Sequence, residues 1–223
     1  MIDRNNIVKL SYDMEEGAPV PEGIPGAKLN PYFTIEGNGG NVFEVSFSTH
    51  TGSHVDAPNH MLQNGRKITE YSPADFVFDN PFCIETALEA DGLLLPGHLE
   101  KYGPEIGKCD FLMIVTGWSR KRLTDPSEYA LHCPGLSVPA AQFLSRFGNI
   151  RAIGADLLSY AAPAHVKEGV EAHKILMRNL PAIQLYEDLN LDSNAKKIKQ
   201  IICAPWIVKG ADSAPCTLIG LLG

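Results

Sequence analysis

The stretch His50-Thr51-Gly52-Ser53-His54-Val55-Asp56-Ala57-Pro58-Asn59-His60 constrains this chain more than any other. Three of its seven histidines fall inside these eleven residues, with a carboxylate among them. Gly52 and Pro58 interrupt the run, which argues against one uniform helix. A strand end passing through a tight turn, with side chains converging on one point, fits better. Neutral imidazole and carboxylate are the usual ligands of zinc, and they also suit manganese and iron. A single histidine is ordinarily surface decoration or a hydrogen-bonded core residue. Three gathered around an aspartate are better read as a metal site. No cysteine lies nearby, so an open, catalytic position is favoured over a closed structural zinc site.

The surrounding pattern is mixed. Phe33 to Glu36 and Asn41 to Ser48 read as strands joined by the turn Gly37-Asn38-Gly39-Gly40, the second feeding straight into the histidine cluster. Residues 13 to 31 hold four prolines and three glycines and read as an irregular surface segment. Further strands are expected at Ile7 to Tyr12, Phe82 to Ala87, Phe111 to Thr116, Ala152 to Ala155, Ala182 to Tyr186, Ile198 to Ala204 and Thr217 to Leu222. Helices are expected at Pro96 to Tyr102, Val138 to Phe147 and Val170 to Arg178. With no repeat and no dividing linker, residues 1–223 read as one α/β domain, and 44% hydrophobic residues suffice for a sizeable core.

Charge and cysteine usage narrow the setting. A formal net charge of −7 with scattered basic residues gives no stripe for a nucleic acid and little attraction to an anionic membrane. Five widely spaced cysteines without a C-x-x-C pair read as free thiols in a reducing compartment. Met1 to Asn6 lacks the basic start and apolar core of a signal peptide, and no apolar run approaches the roughly 20 residues of a membrane span. A cytoplasmic protein is the expectation.

The cluster resembles the HxGTHxDxPxH signature of the cyclase-like metal-dependent hydrolases, a family that includes bacterial kynurenine formamidase (arylformamidase) and isatin hydrolase. The match falls on His50, Gly52, His54, Asp56, Pro58 and His60, with Ser53 where the family usually has threonine. Arg151 to Asp156 is similar to the family's strand ending in Gly-x-Asp, and Glu171 to Leu176 to its Ala-His helix. Glu187-Asp188-Leu189 looks like the turn bearing a family glutamate, and Pro205 to Pro215 like its closing segment. The resemblance implies a swivelling β/β/α-type fold, its mixed sheet partly barrel-like with flanking helices. It also implies a homodimer or homotetramer, for which residues 13 to 31 offer an arm.

It further implies a hydrolase that cleaves an amide or cyclic-amide C–N bond of a small molecule, an aromatic amide among the candidates, with one or two divalent ions, zinc or manganese. Cleavage of N-formylkynurenine comes first; isatin-type ring opening, or metal binding without catalysis on the same fold, are the alternatives. His50, His54 and Asp56 would hold one ion. His173 and Glu187 would complete a second, although the His173 helix alone reads equally as a core histidine in an apolar stripe. The spacing from His173 to Glu187 exceeds the family's by a couple of residues, which leaves Gln184 and Tyr186 as alternatives. Imidazole titrates near pH 6.5, so His60 is assigned to proton transfer, with ligation or orientation of His54 as its other reading. Asp212-Ser213-Ala214-Pro215 reads as a turn before a strand or as a substrate-positioning segment. Trp118, Phe33 and Tyr71 read as packing residues more than as a pocket lining.

Overall fold

Five consecutive apolar residues, Phe111 to Val115, are all buried, the pattern of a strand covered on both faces. The two faces serve different cores: Phe111, Met113 and Val115 enter one, Leu112 and Ile114 the other. This computed structural model describes residues 4–223. Its strands are β1 (Ile7–Lys9), β2 (Lys28–Phe33), β3 (Val42–Ser46), β4 (His54–Asp56), β5 (Val77–Phe78), β6 (Pro81–Glu85), β7 (Leu93–Leu94), β8 (Phe111–Val115), β9 (Gly135–Leu136), β10 (Ala152–Ala155), β11 (Gln184–Glu187), β12 (Ile198–Pro205) and β13 (Ser213–Leu222). The helices are α1 (Ile35–Asn38), α2 (Gly103–Ile106), α3 (Ser119–Thr124), α4 (Pro126–Leu131), α5 (Val138–Leu144) and α6 (Val166–Met177).

Among the described residues, nine strands join one mixed sheet in the order β5-β12-β13-β4-β11-β10-β8-β6, with β1 also paired to β13. Its last strand, β6, curls back beside β12, so the sheet is nearly a closed barrel. Phe78, Ile201, Leu218, Val55, Tyr186 and Phe111, each from a different strand, fill the interior. The outer core joins Leu112, Ile114, Ile153 and Leu185 of the parallel strands to α5 and α6. Helix α6 buries Gly169, Ala172, His173, Leu176 and Met177, the i, i+3, i+4, i+7, i+8 stripe of a helix seated on a sheet. Gly169 is required there: an added Cβ would lie 2.3 Å from Ala161 Cα, and the helix could not close on the loop after β10.

Local details depart from the sequence expectations. Phe33 to Glu36 is not a strand, because the Thr34 side chain caps a helical turn by accepting from Gly37 N–H and Gly39 ends it at φ 78°. Its strand partner starts earlier, at Lys28, inside the segment expected to be irregular. Among the described residues the β2–β3 ribbon pairs with no other strand, so β3 does not feed the sheet; the histidine cluster has its own strand, β4. Pro96 to Tyr102 forms two 3-10 turns, with Pro96 and Gly97 at the start of the first, in place of a helix. Helices α3 and α4, which Asp125 divides by capping α4, are too short to carry a helical period in the sequence. Trp118 and Tyr71 are buried in the two cores, whereas Phe33 lies exposed on the ribbon.

Candidate metal centre

Strand β4 lies between β11 and β13, antiparallel to both, with His54 opposite Glu187 and Pro215, and Asp56 opposite Leu185 and Ser213. Val55, Tyr186 and Ala214 point into the barrel. Alternation therefore sends His54, Asp56, Glu187 and Ser213 to the opposite face, toward α6. Helix α6 presents His173 to Glu187 across that face, Nε2 to Oε1 at 3.2 Å. His50 comes from the turn before β4, His60 from the 3-10 turn after it, and Asp212 from the residue preceding β13. Every residue singled out from the sequence as a ligand or proton carrier is thus brought to one place. Gln184 and Tyr186 bond instead to each other, hydroxyl to amide oxygen at 2.7 Å, away from the cluster.

Hydrogen bonds fix which imidazole nitrogens are available. His54 Nδ1 donates to Gly52 C=O at 2.7 Å, a carbonyl presented by a left-handed turn with Gly52 at φ 66°. His173 Nδ1 donates to Gly169 C=O at 2.7 Å. Each imidazole therefore turns Nε2 inward. His54 Nε2 meets Asp56 Oδ1 at 3.4 Å and Glu187 Oε2 at 3.3 Å, and His50 Nδ1 meets Asp56 Oδ1 at 3.1 Å. None of these aligns as a hydrogen bond for His54 Nε2 or for either Asp56 oxygen, all three of which are buried and unpaired. A buried polar atom without a partner costs about 1–3 kcal/mol, and more when charged. Imidazole lone pairs facing carboxylate oxygens across such gaps call for a cation among them. Two sets of three donors satisfy that need, His50-His54-Asp56 and Asp56-His173-Glu187, and they share Asp56. The donor chemistry fits a divalent transition metal.

Electrostatics agree. Burial alone would push His50 down, but the hydrogen bond to Asp212 and the nearby Asp56 carboxylate carry it up to about 10. His54 and His173 are likewise raised: the nearby carboxylates outweigh burial. Glu187 is driven the other way, its burial overcome by His173 and His54, which hold its carboxyl well below the usual range. Without a metal, the cluster balances its carboxylates with protons.

Around this centre stand groups the sequence did not single out for these roles. Asp212 Oδ2 accepts from His50 Nε2 at 3.0 Å and from His60 Nδ1 at 3.0 Å, and Ser213 Oγ lies 2.9 Å from His50 Nε2. Glu187 Oε1 accepts from Tyr160 N–H at 2.8 Å and from the Ser159 hydroxyl at 3.1 Å. Behind it, Asp188 sits at φ 50°, its carboxylate gripped by Arg122 Nε at 2.8 Å and Nη2 at 3.0 Å and by the Tyr129 hydroxyl at 2.8 Å. The Ser53 hydroxyl donates to the Asp188 carbonyl, tying β4 to the end of β11.

Residues 8–162 match the Cyclase family model. The chain belongs to this family. It is 31% identical over 175 residues to kynurenine formamidase of Bacillus thuringiensis, covering 78% of this chain and 77% of that one. To kynurenine formamidase of Geobacillus thermodenitrificans it is 28% identical over 219 residues, 95% of each. Cyclase-like protein 2 of rice is 28% identical over 197 residues, and the match spans 82% of this chain and 66% of that protein. Among solved structures, isatin hydrolase A from Labrenzia aggregata superposes with a TM-score of 0.81 at 23% identity, covering 97% of this chain and 93% of that chain. That likeness concerns the fold: the nearly closed mixed sheet with flanking helices is shared.

Proposed function

We propose that this cyclase-family protein is a metal-dependent hydrolase of a small-molecule amide, with an arylformamide such as N-formylkynurenine as the substrate to test first. The observation that carries the reading is the set of inward-facing, unpaired donors, His54 Nε2 and both Asp56 oxygens, buried beside His50, His173 and Glu187. The kynurenine formamidases among the relatives support the bond type. His50 through Nδ1, His54 through Nε2 and Asp56 would hold one ion, and Asp56, His173 and Glu187 a second, zinc or manganese by donor type. Once bound, such an ion supplies Lewis acidity and lowers the pKa of a coordinated water from about 15.7 toward 7.

The chain's own residues do the rest. His60 donates its Nδ1 proton to Asp212, which leaves Nε2 as the basic nitrogen. It takes the proton that water loses on attacking the amide carbon and delivers it to the departing amine as the C–N bond breaks. Asp212 holds that tautomer while steadying His50, so one carboxylate serves both a ligand and a base. Beside Ser159, which touches Glu187, a hollow of about 320 Å³ is lined by Pro21, Ile24, Leu158, Ala161 and Val166. Its apolar walls suit the ring of an aromatic amide. We place the protein in the cytoplasm, as one catalytic domain over 1–223 working in a homodimer or homotetramer without nucleic-acid or membrane partners. No helix among the described residues is long and apolar enough to cross a membrane.

The test is to strip the tag-free protein, restore zinc or manganese, and assay N-formylkynurenine, simple formanilides and isatin. Turnover that requires the metal and collapses in His60→Ala supports the proposal. Tight metal binding with no turnover on the panel, and indifference to His60→Ala, would make the chain a binding protein.

A further inference from the structure

We infer that, on the two-ion arrangement proposed above, Arg122 is a positioning residue of the metal centre. Acting through Asp188 it fixes where Glu187 stands, and so sets the affinity of the ion held by Asp56, His173 and Glu187 without setting that of the ion held by His50, His54 and Asp56. The β4–β11 ladder pairs Asp56 with Leu185, Val55 with Tyr186 and His54 with Glu187, and stops there. Its last pair therefore consists of two ligands, one from each donor set. Strand ends open more readily than strand centres. A ligand on a fraying pair cannot keep an ion's geometry, so a contact beyond that pair has to hold the ladder shut.

Ser53 and Asp188, the next residues out, supply it. Asp188 leaves the strand at φ 50°, a left-handed conformation that a residue other than glycine keeps only where its surroundings impose it. Its N–H donates to Leu157 C=O at 2.6 Å, and its own C=O accepts from the Ser53 hydroxyl. The α3–α4 corner takes the carboxylate: Arg122 Nε donates to Oδ1 at 2.8 Å and Nη2 to Oδ2 at 3.0 Å, with the Tyr129 hydroxyl on Oδ1 at 2.8 Å. Such a fork fixes direction as well as distance. The Arg122 guanidinium lies 3.8 Å over the Tyr12 ring, and Tyr12 N–H donates to Ser53 Oγ at 2.9 Å. These contacts close a ring, Ser53–Asp188–Arg122–Tyr12, one residue beyond both ligands. Ser53, Arg122 and Asp188 are all buried. A buried ion pair adds little net stability over apolar residues of similar volume, so direction is what this one contributes. His54 has its own anchor, Nδ1 on Gly52 C=O at 2.7 Å. Glu187 Oε1 is held by Tyr160 N–H and Ser159, but Oε2 faces only His54 Nε2, at 3.3 Å. Loss of the ring should therefore fall on Glu187, as a weakening and not an abolition.

The experiment titrates the full, chelated chain with manganese chloride by calorimetry and records electron paramagnetic resonance of the loaded protein. Wild type should take up two ions per chain and show the coupled signal of two manganese ions sharing one carboxylate. Arg122→Met should weaken the second ion about 10–100-fold, the range for a group that orients a ligand, leave the first within about threefold, and lose the coupled signal at limiting metal. Tyr129→Phe should shift the same ion by a smaller factor. Arg151→Met, which removes bonds to the Ala74, Asp75 and Val77 carbonyls away from the centre, should lower Tm and leave both ions alone. Equal weakening of both ions in Arg122→Met, or no change in either, overturns the inference. Because Arg122→Met leaves a buried carboxylate unpaired, the variant can fail to fold. Arg122→Met/Asp188→Asn removes that charge, keeps a residue that tolerates φ 50°, and must then show the same selective loss; full retention of its second ion overturns the inference too. A wild type that binds one ion per chain overturns it while leaving a one-metal hydrolase, whereas a wild type that binds none defeats the functional reading as well.

Discussion

The centre has an inner and an outer half, and they are built differently. His54, Asp56, His173 and Glu187 are all buried, and His54 Nε2 and both Asp56 oxygens face the cluster without a hydrogen-bond partner. His50, His60 and Asp212 lie at the mouth, partly exposed, joined through one carboxylate at 3.0 Å to each imidazole. Dry, convergent lone pairs can hold a cation but have no route for a proton to solvent. A half-exposed carboxylate–imidazole pair can exchange protons but is poorly enclosed for an ion. On the proposed reading the inner half holds the metal and the outer half moves protons, with His50, through its two nitrogens, belonging to both.

Removing a group from each half should therefore fail differently. Asp56→Ala deletes the donor shared by both ligand sets. Metal content by mass spectrometry should fall to near zero and kcat/KM by at least about 10⁴-fold, beyond what a single proton-transfer group supplies. His60→Ala should keep the metal and lose about 10²–10⁴-fold in kcat, the range for a general acid–base group. If His60→Ala also empties the site, His60 is a ligand and the division is wrong. Glu187→Gln should lower metal content by one ion per chain and reduce kcat/KM by about 10–100-fold, one ion of two mattering less than both together. Asp212→Asn should cost kcat about tenfold or more while changing KM little, because the amide can no longer fix the His60 tautomer; ¹⁵N NMR of the imidazoles should show the altered tautomer in metal-free protein.

The smallest effect is on pH behaviour. His50 in the metal-free chain is raised to about 10, so it holds a proton at neutral pH that an ion must displace, and His54 and His173 are shifted in the same direction. Apparent metal affinity should rise with pH and each uptake should release protons, measurable by calorimetry in buffers of different ionisation enthalpy. Thermal stability of the chelated protein should move the other way. A folded-state pKa above the ordinary 6.5 stabilises the fold below pH 6.5, and that contribution is lost as pH climbs toward about 10. A chelated protein whose Tm stays flat over that window would contradict the protonated cluster.

Most of the inner half was legible because its residues are close in sequence or carried by simple periodicities. His54 and Asp56 are two apart, hence on one face of any strand, and His173 falls in the middle of the apolar stripe of α6. Glu187 was legible as an acid at a strand end, and the register opposite His54, which puts it rather than Gln184 beside the cluster, exists only in the folded sheet. Asp212 was harder, since it stands 152 residues from the His60 it touches and Asp-Ser before a strand is also common turn material. The closing run Gly210 to Pro215 was the available signal. The strand expected at Phe33 to Glu36 departs for a local reason: Gly37 to Gly40 resembles a hairpin turn, but Thr34 caps a helical turn instead and shifts the strand toward Lys28. The Arg122 clamp on Asp188 spans 66 residues and left no mark in the local pattern.

Anomalous diffraction from crystals of tag-free protein soaked in zinc or manganese bears most directly on the centre. The account predicts two peaks, one on each side of the Asp56 carboxylate, with His50 and His54 around the first and His173 and Glu187 around the second. Featureless density there at saturating metal, in crystals of protein that still hydrolyses an arylformamide, would contradict it.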